Sequence, residues 1–323
     1  MKQEKAQLTH EEFKARALRE AGISYSLSAV LPVLLSLLAS LFILGLAKEG
    51  YEKQDWYLYL NYLLPQIAFA GVAIIYFLRS GVSLKHTYCG CKWYYFVLAL
   101  VLQFGLFLSL SGLNSFFIQL LELLGYKQQG MSLPPLGGWN LLPAILVIAL
   151  LPAVCEETLM RGILSGQMNE NGWSTAITVV VSGALFSLFH HNPEQTLYQF
   201  ACGMCYTLIA LRAGSILPTV CAHFCNNAVI LTLQSVYAPR FPDKPSFDII
   251  DLLPTGWYIA LVVLSALCLV GVLVYLIFFD KRHAQKGKTA NGKLFLLAAA
   301  VGILVFAITW IMQLAVGFGA RVV

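Results

Sequence analysis

Apolar residues in this chain come in long runs bounded by charge, Pro or Gly, near residues 24–47, 57–78, 93–124, 139–168, 172–191, 196–212, 216–237, 254–279 and 294–318. A helix needs roughly 20 apolar residues to cross a bilayer. The pattern predicts an all-α, polytopic membrane bundle of about nine transmembrane helices, with eight as the alternative. The third and fourth runs are longer than a bilayer requires, so tilt, a kink or a protruding end is expected, with Pro143 and Pro152 as kink sites in the fourth. Residues 1–22 read as a cytoplasmic tail or amphipathic helix, and 23–323 as one transmembrane domain. Neither a solenoid period nor an inverted repeat is visible.

Composition agrees and narrows the function classes. Of 323 residues, 59% are hydrophobic and 11% charged, with a mean hydropathy of +0.73. A soluble domain is about 25% charged. The longest stretch without a candidate span is the N-terminal tail, which leaves no room for an appended nucleotide- or DNA-binding module, so no nucleic-acid partner is expected. The first apolar run is too long for a signal-peptide core and reads as an uncleaved span. With the N-terminus cytoplasmic, most of the 21 Lys and Arg fall on the inner side, including Lys14, Arg16, Arg19, Arg79, Lys85, Lys92 and Lys281 to Lys293. Lys48, Lys53, Lys127, Arg240, Lys244 and Arg321 are left outside, and the positive-inside rule favours this orientation. The eight cysteines lie in or beside apolar runs and imply no disulfide framework. Neither Cys89 and Cys91 near His86 nor the pair Cys202 and Cys205 supplies a four-ligand zinc set.

A charge at membrane depth costs about 2.5–3.5 kcal/mol on insertion scales, so each one needs a partner or a function. Such residues concentrate between positions 155 and 227. On a helix Glu157 and Arg161 are four apart and face each other, which leaves Glu156, turned about 100° away, as a free carboxylate suited to general-base work. An ordinary ion pair at a cytosolic helix end is the competing reading. Phe186 and His190 share a face, so the ring can wall a substrate pocket into which the imidazole points; a lone interfacial histidine is the alternative. His223 and Asn227 are again one turn apart, as an oxyanion clamp or as an interhelical polar contact. Three such pairs on three membrane helices would be an expensive way to hold a bundle together, which favours an active site.

Glu156-Glu157-x-x-x-Arg161, Phe186-x-x-x-His190 and His223-x-x-x-Asn227, with Arg212-x-Gly214-Ser215-x-x-Pro218 between the last two, resemble the signature of the CPBP intramembrane proteases. That family, also called the CAAX-protease and bacteriocin-processing or Abi family, includes the type II prenyl-protein endopeptidases. The resemblance covers a core of about 140–235. It implies a glutamic-type intramembrane endopeptidase in which Glu156 with His190 activates water, Glu157 is held by Arg161, and His223 with Asn227 stabilises the oxyanion. His191 has no assignable counterpart.

No cofactor is expected. If a metal were used, Glu156, His190 and His223 would form a zinc site, but no His-Glu-x-x-His helix is present, and Asn beside His suits an oxyanion better. The expected partners are the lipid bilayer and a membrane-associated peptide or protein substrate, prenylated or not, and the expected location is a bacterial plasma membrane, or the ER membrane of a eukaryote. The competing classes are a non-enzymatic scaffold or immunity protein of the same fold, and a proton-coupled transporter. Neither needs an oxyanion clamp. At 1.5 Å per residue, Glu156 and His190 can meet only if the fourth helix continues to about Met168.

Overall fold

The computed structural model describes residues 9–45, 50–129, 132–242, 248–287 and 290–319. Lys2, Lys5, Lys48, Lys244, Lys288 and Arg321, which entered the orientation argument, lie outside the described residues. Within them the chain is helical, without a strand. The main helices are α1 (His10–Leu44), α2 (Asp55–Ser80), α3 (Tyr94–Leu123), α4 (Gly138–Glu170), α5 (Thr175–Phe189), α6 (Thr196–Ala213), α7 (Leu217–Tyr237), α8 (Thr255–Phe279) and α9 (Gly292–Gly317). A single turn at Leu84–Thr87 lies between α2 and α3.

Helix α1 begins well before the first apolar run. Thr9 caps it: the hydroxyl accepts from Glu12 N at 3.3 Å, while Glu12 Oε2 accepts from Thr9 N at 2.8 Å. Ala17, Leu18 and Ala21 are then fully buried, and the helix runs on from this stretch into the first apolar run.

Among the described residues six helices, α1, α2, α3, α4, α8 and α9, are long and apolar enough to cross a membrane, which makes this a multi-pass integral membrane protein. The sequence pattern predicts about nine spans; the remaining three helices, α5 to α7, fall short by length or polarity. At 15 residues, α5 is about 22 Å long against a hydrocarbon core of about 30 Å. A helix surrounded by other helices need neither match the bilayer nor be apolar all round. More than half of α6 is buried, including Tyr206, Thr207 and Arg212.

Loop contacts place alternate helix ends together. At the end where α1 starts, Arg79 Nε meets Glu20 Oε2 at 3.0 Å, Trp173 Nε1 donates to Ala290 O at 2.8 Å, and Ser215 Oγ donates to Cys89 O at 2.6 Å. At the other end Lys127 N donates to Gly317 O at 2.8 Å and Trp310 Nε1 donates to Thr196 Oγ1 at 2.9 Å. Lys14, Arg16, Arg19, Arg79, Lys85, Lys92, Arg212, Lys281 and Arg282 all belong to the first, basic end.

Two features position the inner helices. Helices α5 and α6 touch backbone to backbone: a Cβ on Gly203 would fall 2.7 Å from Gly183 Cα, so only paired glycines allow the approach. Helix α4 widens into π-helix at Ile145–Leu150 and again at Thr158–Ser165, flanking the α-helical Leu151–Glu157 that carries both glutamates. Pro152 lies just after the first widening, where it has no N–H to give to Ile148 O four residues back. The extra carbonyls of the second are answered by Ser165 Oγ, which reaches Met160 O at 3.0 Å and Arg161 O at 3.2 Å.

Candidate active site

Helix α4 is helical to Glu170, which sets Glu156 about 20 Å inside from its basic end, at the depth His190 reaches at the far end of the short α5. There the two meet, with His190 Nε2 3.9 Å from Glu156 Oε2. His190 Nδ1 lies 3.0 Å from Phe186 O. A carbonyl only accepts, so Nδ1 carries a proton, and in the neutral ring a bare Nε2 faces Glu156. Glu156 Oε1 accepts from Gln66 Nε2 at 3.5 Å, while Oε2 is buried and finds no donor among the described residues. Two acceptors facing each other call for a donor to both.

The second glutamate is held through one oxygen, while its Oε2, like that of Glu156, finds no donor among the described residues. Glu157 Oε1 accepts from Arg161 Nη1 at 2.8 Å, with both side chains at zero exposure, and from His223 Nδ1 at 2.9 Å. The Glu157–Arg161 pairing predicted from the spacing survives the local π-helix, and the bond to His223 adds a function that spacing does not reveal: Glu157 ties α4 to α7 and fixes the His223 ring. The Arg161 guanidinium lies between two aromatic faces, 4.2 Å from the Phe186 centroid and 5.2 Å from that of Tyr206.

Phe186, expected at a substrate surface, is 1% exposed. Its ring packs on Arg161, His190 at 4.6 Å and His223 at 6.3 Å, so in this geometry it holds the polar side chains apart instead of lining open space. Asn227, one turn beyond His223, has Nδ2 3.5 Å from Ile148 O and Oδ1 accepting from Asn226 Nδ2 at 2.9 Å. His191 follows the end of α5 with a φ of 38° and packs its ring near Phe306. Arg212 is not brought to this site. It donates to Leu276 O at 3.0 Å and Arg282 O at 3.1 Å at the basic end, joining α6 to α8.

Both histidines have Nδ1 held by an acceptor and Nε2 free, a habit of metal ligands. Three ligands must also converge, and among the described residues no three His, Cys, Asp or Glu side chains are grouped closely enough to hold an ion. The set Glu156, His190 and His223 does not fit a metal in this geometry.

Gln66 on α2 and Gln103 on α3 serve the site without being ionisable; their signal in the sequence is an amide inside an apolar run, which carries the same demand for a partner.

Residues 138–229 match a family model described as type II CAAX prenyl endopeptidase Rce1-like. The resemblance carried by the motifs is thereby shown over this segment, under a third of the chain, which contains Glu156, Glu157, Arg161, Phe186, His190, His223 and Asn227. No curated protein and no solved structure matches the chain.

Proposed function

We propose that the protein is an intramembrane endopeptidase that hydrolyses a peptide bond with water activated by Glu156 and His190, without a metal. The observation that carries this reading is the unpartnered Glu156 Oε2 facing the bare Nε2 of His190 at 3.9 Å. Water held between two acceptors loses a proton to the carboxylate as it attacks, and the carboxylate hands that proton to the leaving amine. Asn227 presents an amide N–H to the oxyanion, and His223, whose Nδ1 hydrogen is spent on Glu157, presents Nε2–H when it carries a proton on each nitrogen, with the Glu157 carboxylate behind the ring. Phe186 acts by packing, and the basic end of the bundle is cytoplasmic.

The name of the matched family suggests a prenylated peptide as the first substrate to try. An apolar groove of about 440 Å³ between α2 and α4 suits such a chain, since Phe77, Tyr88, Cys155 and Thr158 line it and Cys155 and Thr158 flank the two glutamates in sequence. Purified protein in lipid is to be given a farnesylated C-terminal CAAX peptide, its unprenylated form and a random peptide library, with products read by mass spectrometry. Cleavage by the wild type that is lost in Glu156→Gln is expected. Absence of cleavage of all three, or full cleavage by Glu156→Gln, overturns the reading.

A further inference from the structure

An asparagine stabilises an oxyanion with its amide hydrogens and repels it with its oxygen, so the role given to Asn227 requires one of two orientations of its side chain. The neighbours of Asn227 select that orientation. Its Oδ1 is taken by Asn226 Nδ2 at 2.9 Å. Asn226 Oδ1 is itself held by two donors, Gln103 Nε2 at 2.5 Å and Tyr198 OH at 3.1 Å. Gln103 in turn accepts at Oε1 from the Tyr206 hydroxyl. Each amide thus has its oxygen engaged on the side away from Asn227 and its nitrogen turned toward the next group. Reversing one amide would set oxygen against oxygen or nitrogen against nitrogen unless all were reversed. At the end of the relay, Asn227 Nδ2 lies 3.5 Å from Ile148 O, the carbonyl that Pro152 leaves without an N–H four residues on. A single acceptor at that distance leaves the second hydrogen available.

Gln103 and Tyr206 are buried, at 5% and 2% exposure, and Gln103 comes from α3, outside the segment that matches the family. A hydrogen-bonded chain across α3, α6 and α7 fixes a single arrangement only when each member is satisfied, which this one achieves. We infer that Asn226, backed by Gln103, Tyr198 and Tyr206, is a positioning residue that fixes the Asn227 amide with its N–H toward the reaction centre. This rests on the endopeptidase reading.

The test is a double-mutant cycle on the full chain in lipid, with whichever peptide the wild type cleaves. Asn226→Ala should lower kcat by roughly 10- to 100-fold, part of what loss of an oxyanion donor removes, with KM within about twofold. Tyr206→Phe keeps the ring against Arg161 and removes only the hydroxyl; it should lower kcat in the same sense by less, and it guards against misfolding of the alanine variant. In an Asn227→Ala background both substitutions should have no further effect, because the group they orient is gone. Equal fold-losses in the two backgrounds, or an unchanged kcat in Asn226→Ala, overturn the inference while the endopeptidase reading stands. A wild type without turnover of any peptide overturns both.

Discussion

Asp280 and Glu156 are both buried carboxylates of this bundle, at 4% and 8% exposure, and they differ in how completely their oxygens are engaged. Asp280 follows α8 at the basic end. Its Oδ1 accepts from Arg282 N at 3.1 Å and Nε at 3.0 Å, and its Oδ2 from Tyr95 OH at 2.6 Å and Arg282 Nη2 at 2.9 Å. The Arg282 guanidinium lies 4.7 Å from the Tyr95 ring, so the cluster is closed on every side and latches α3 to the end of α8. Glu156 has one distant donor and one oxygen with none among the described residues. A carboxylate whose hydrogen-bonding capacity is filled by its own chain serves structure. One placed at depth with capacity left over, facing an imidazole nitrogen that accepts in the neutral ring, is arranged for a ligand that donates.

Substitutions at the two clusters should separate accordingly. The largest effect is expected at the open one: Glu156→Gln and His190→Ala should each lower turnover by ~10²- to 10⁴-fold or more, with the thermal midpoint in detergent little changed. Full activity in either would erase the contrast.

Glu157→Gln should mix the two behaviours. It leaves Arg161 unpaired between Phe186 and Tyr206, so stability should fall by roughly 3–5 kcal/mol, and activity should fall with the orientation of His223. Chemical denaturation measured beside turnover would separate the two losses, and a variant as stable as wild type would argue against a fixed Glu157 charge.

Asp280→Asn should be active but less stable by ~1.5–3 kcal/mol, the range for hydrogen bonds to a charged group. Burial by itself would raise the Asp280 carboxyl, but the hydrogen bonds from Arg282 and Tyr95 outweigh it and hold it below its ordinary range. With the folded pKa depressed, the latch contributes fully above about pH 4 and is lost as pH falls below that. The stability gap between wild type and Asp280→Asn should therefore be constant near neutrality and close in acid. A gap that instead widens in acid would contradict the depressed carboxyl.

The smallest effect is expected from chelation, which should leave turnover unchanged in preparations holding less than one equivalent of zinc by elemental analysis. Stoichiometric zinc whose removal stops turnover and whose return restores it would move Glu156 from base to ligand.

The sequence by itself determined the membrane class and the helical fold and singled out candidate residues for the site, because each follows from a local rule. Apolar runs longer than a bilayer force helices, and Glu157 with Arg161, Phe186 with His190, and His223 with Asn227 each lie one turn apart. The burial of more than half of α6 was less legible, since an apolar run reads the same whether lipid or protein surrounds it. What only the tertiary structure decided is which of these turns face one another. That Glu157 holds His223 as well as Arg161, that Phe186 packs instead of lining open space, and that Gln66 and Gln103 reach the site all depend on contacts between helices far apart in the chain. Hydrogen bonds and ring contacts act over a few ångströms, and spacing along one helix carries no information about what crosses it.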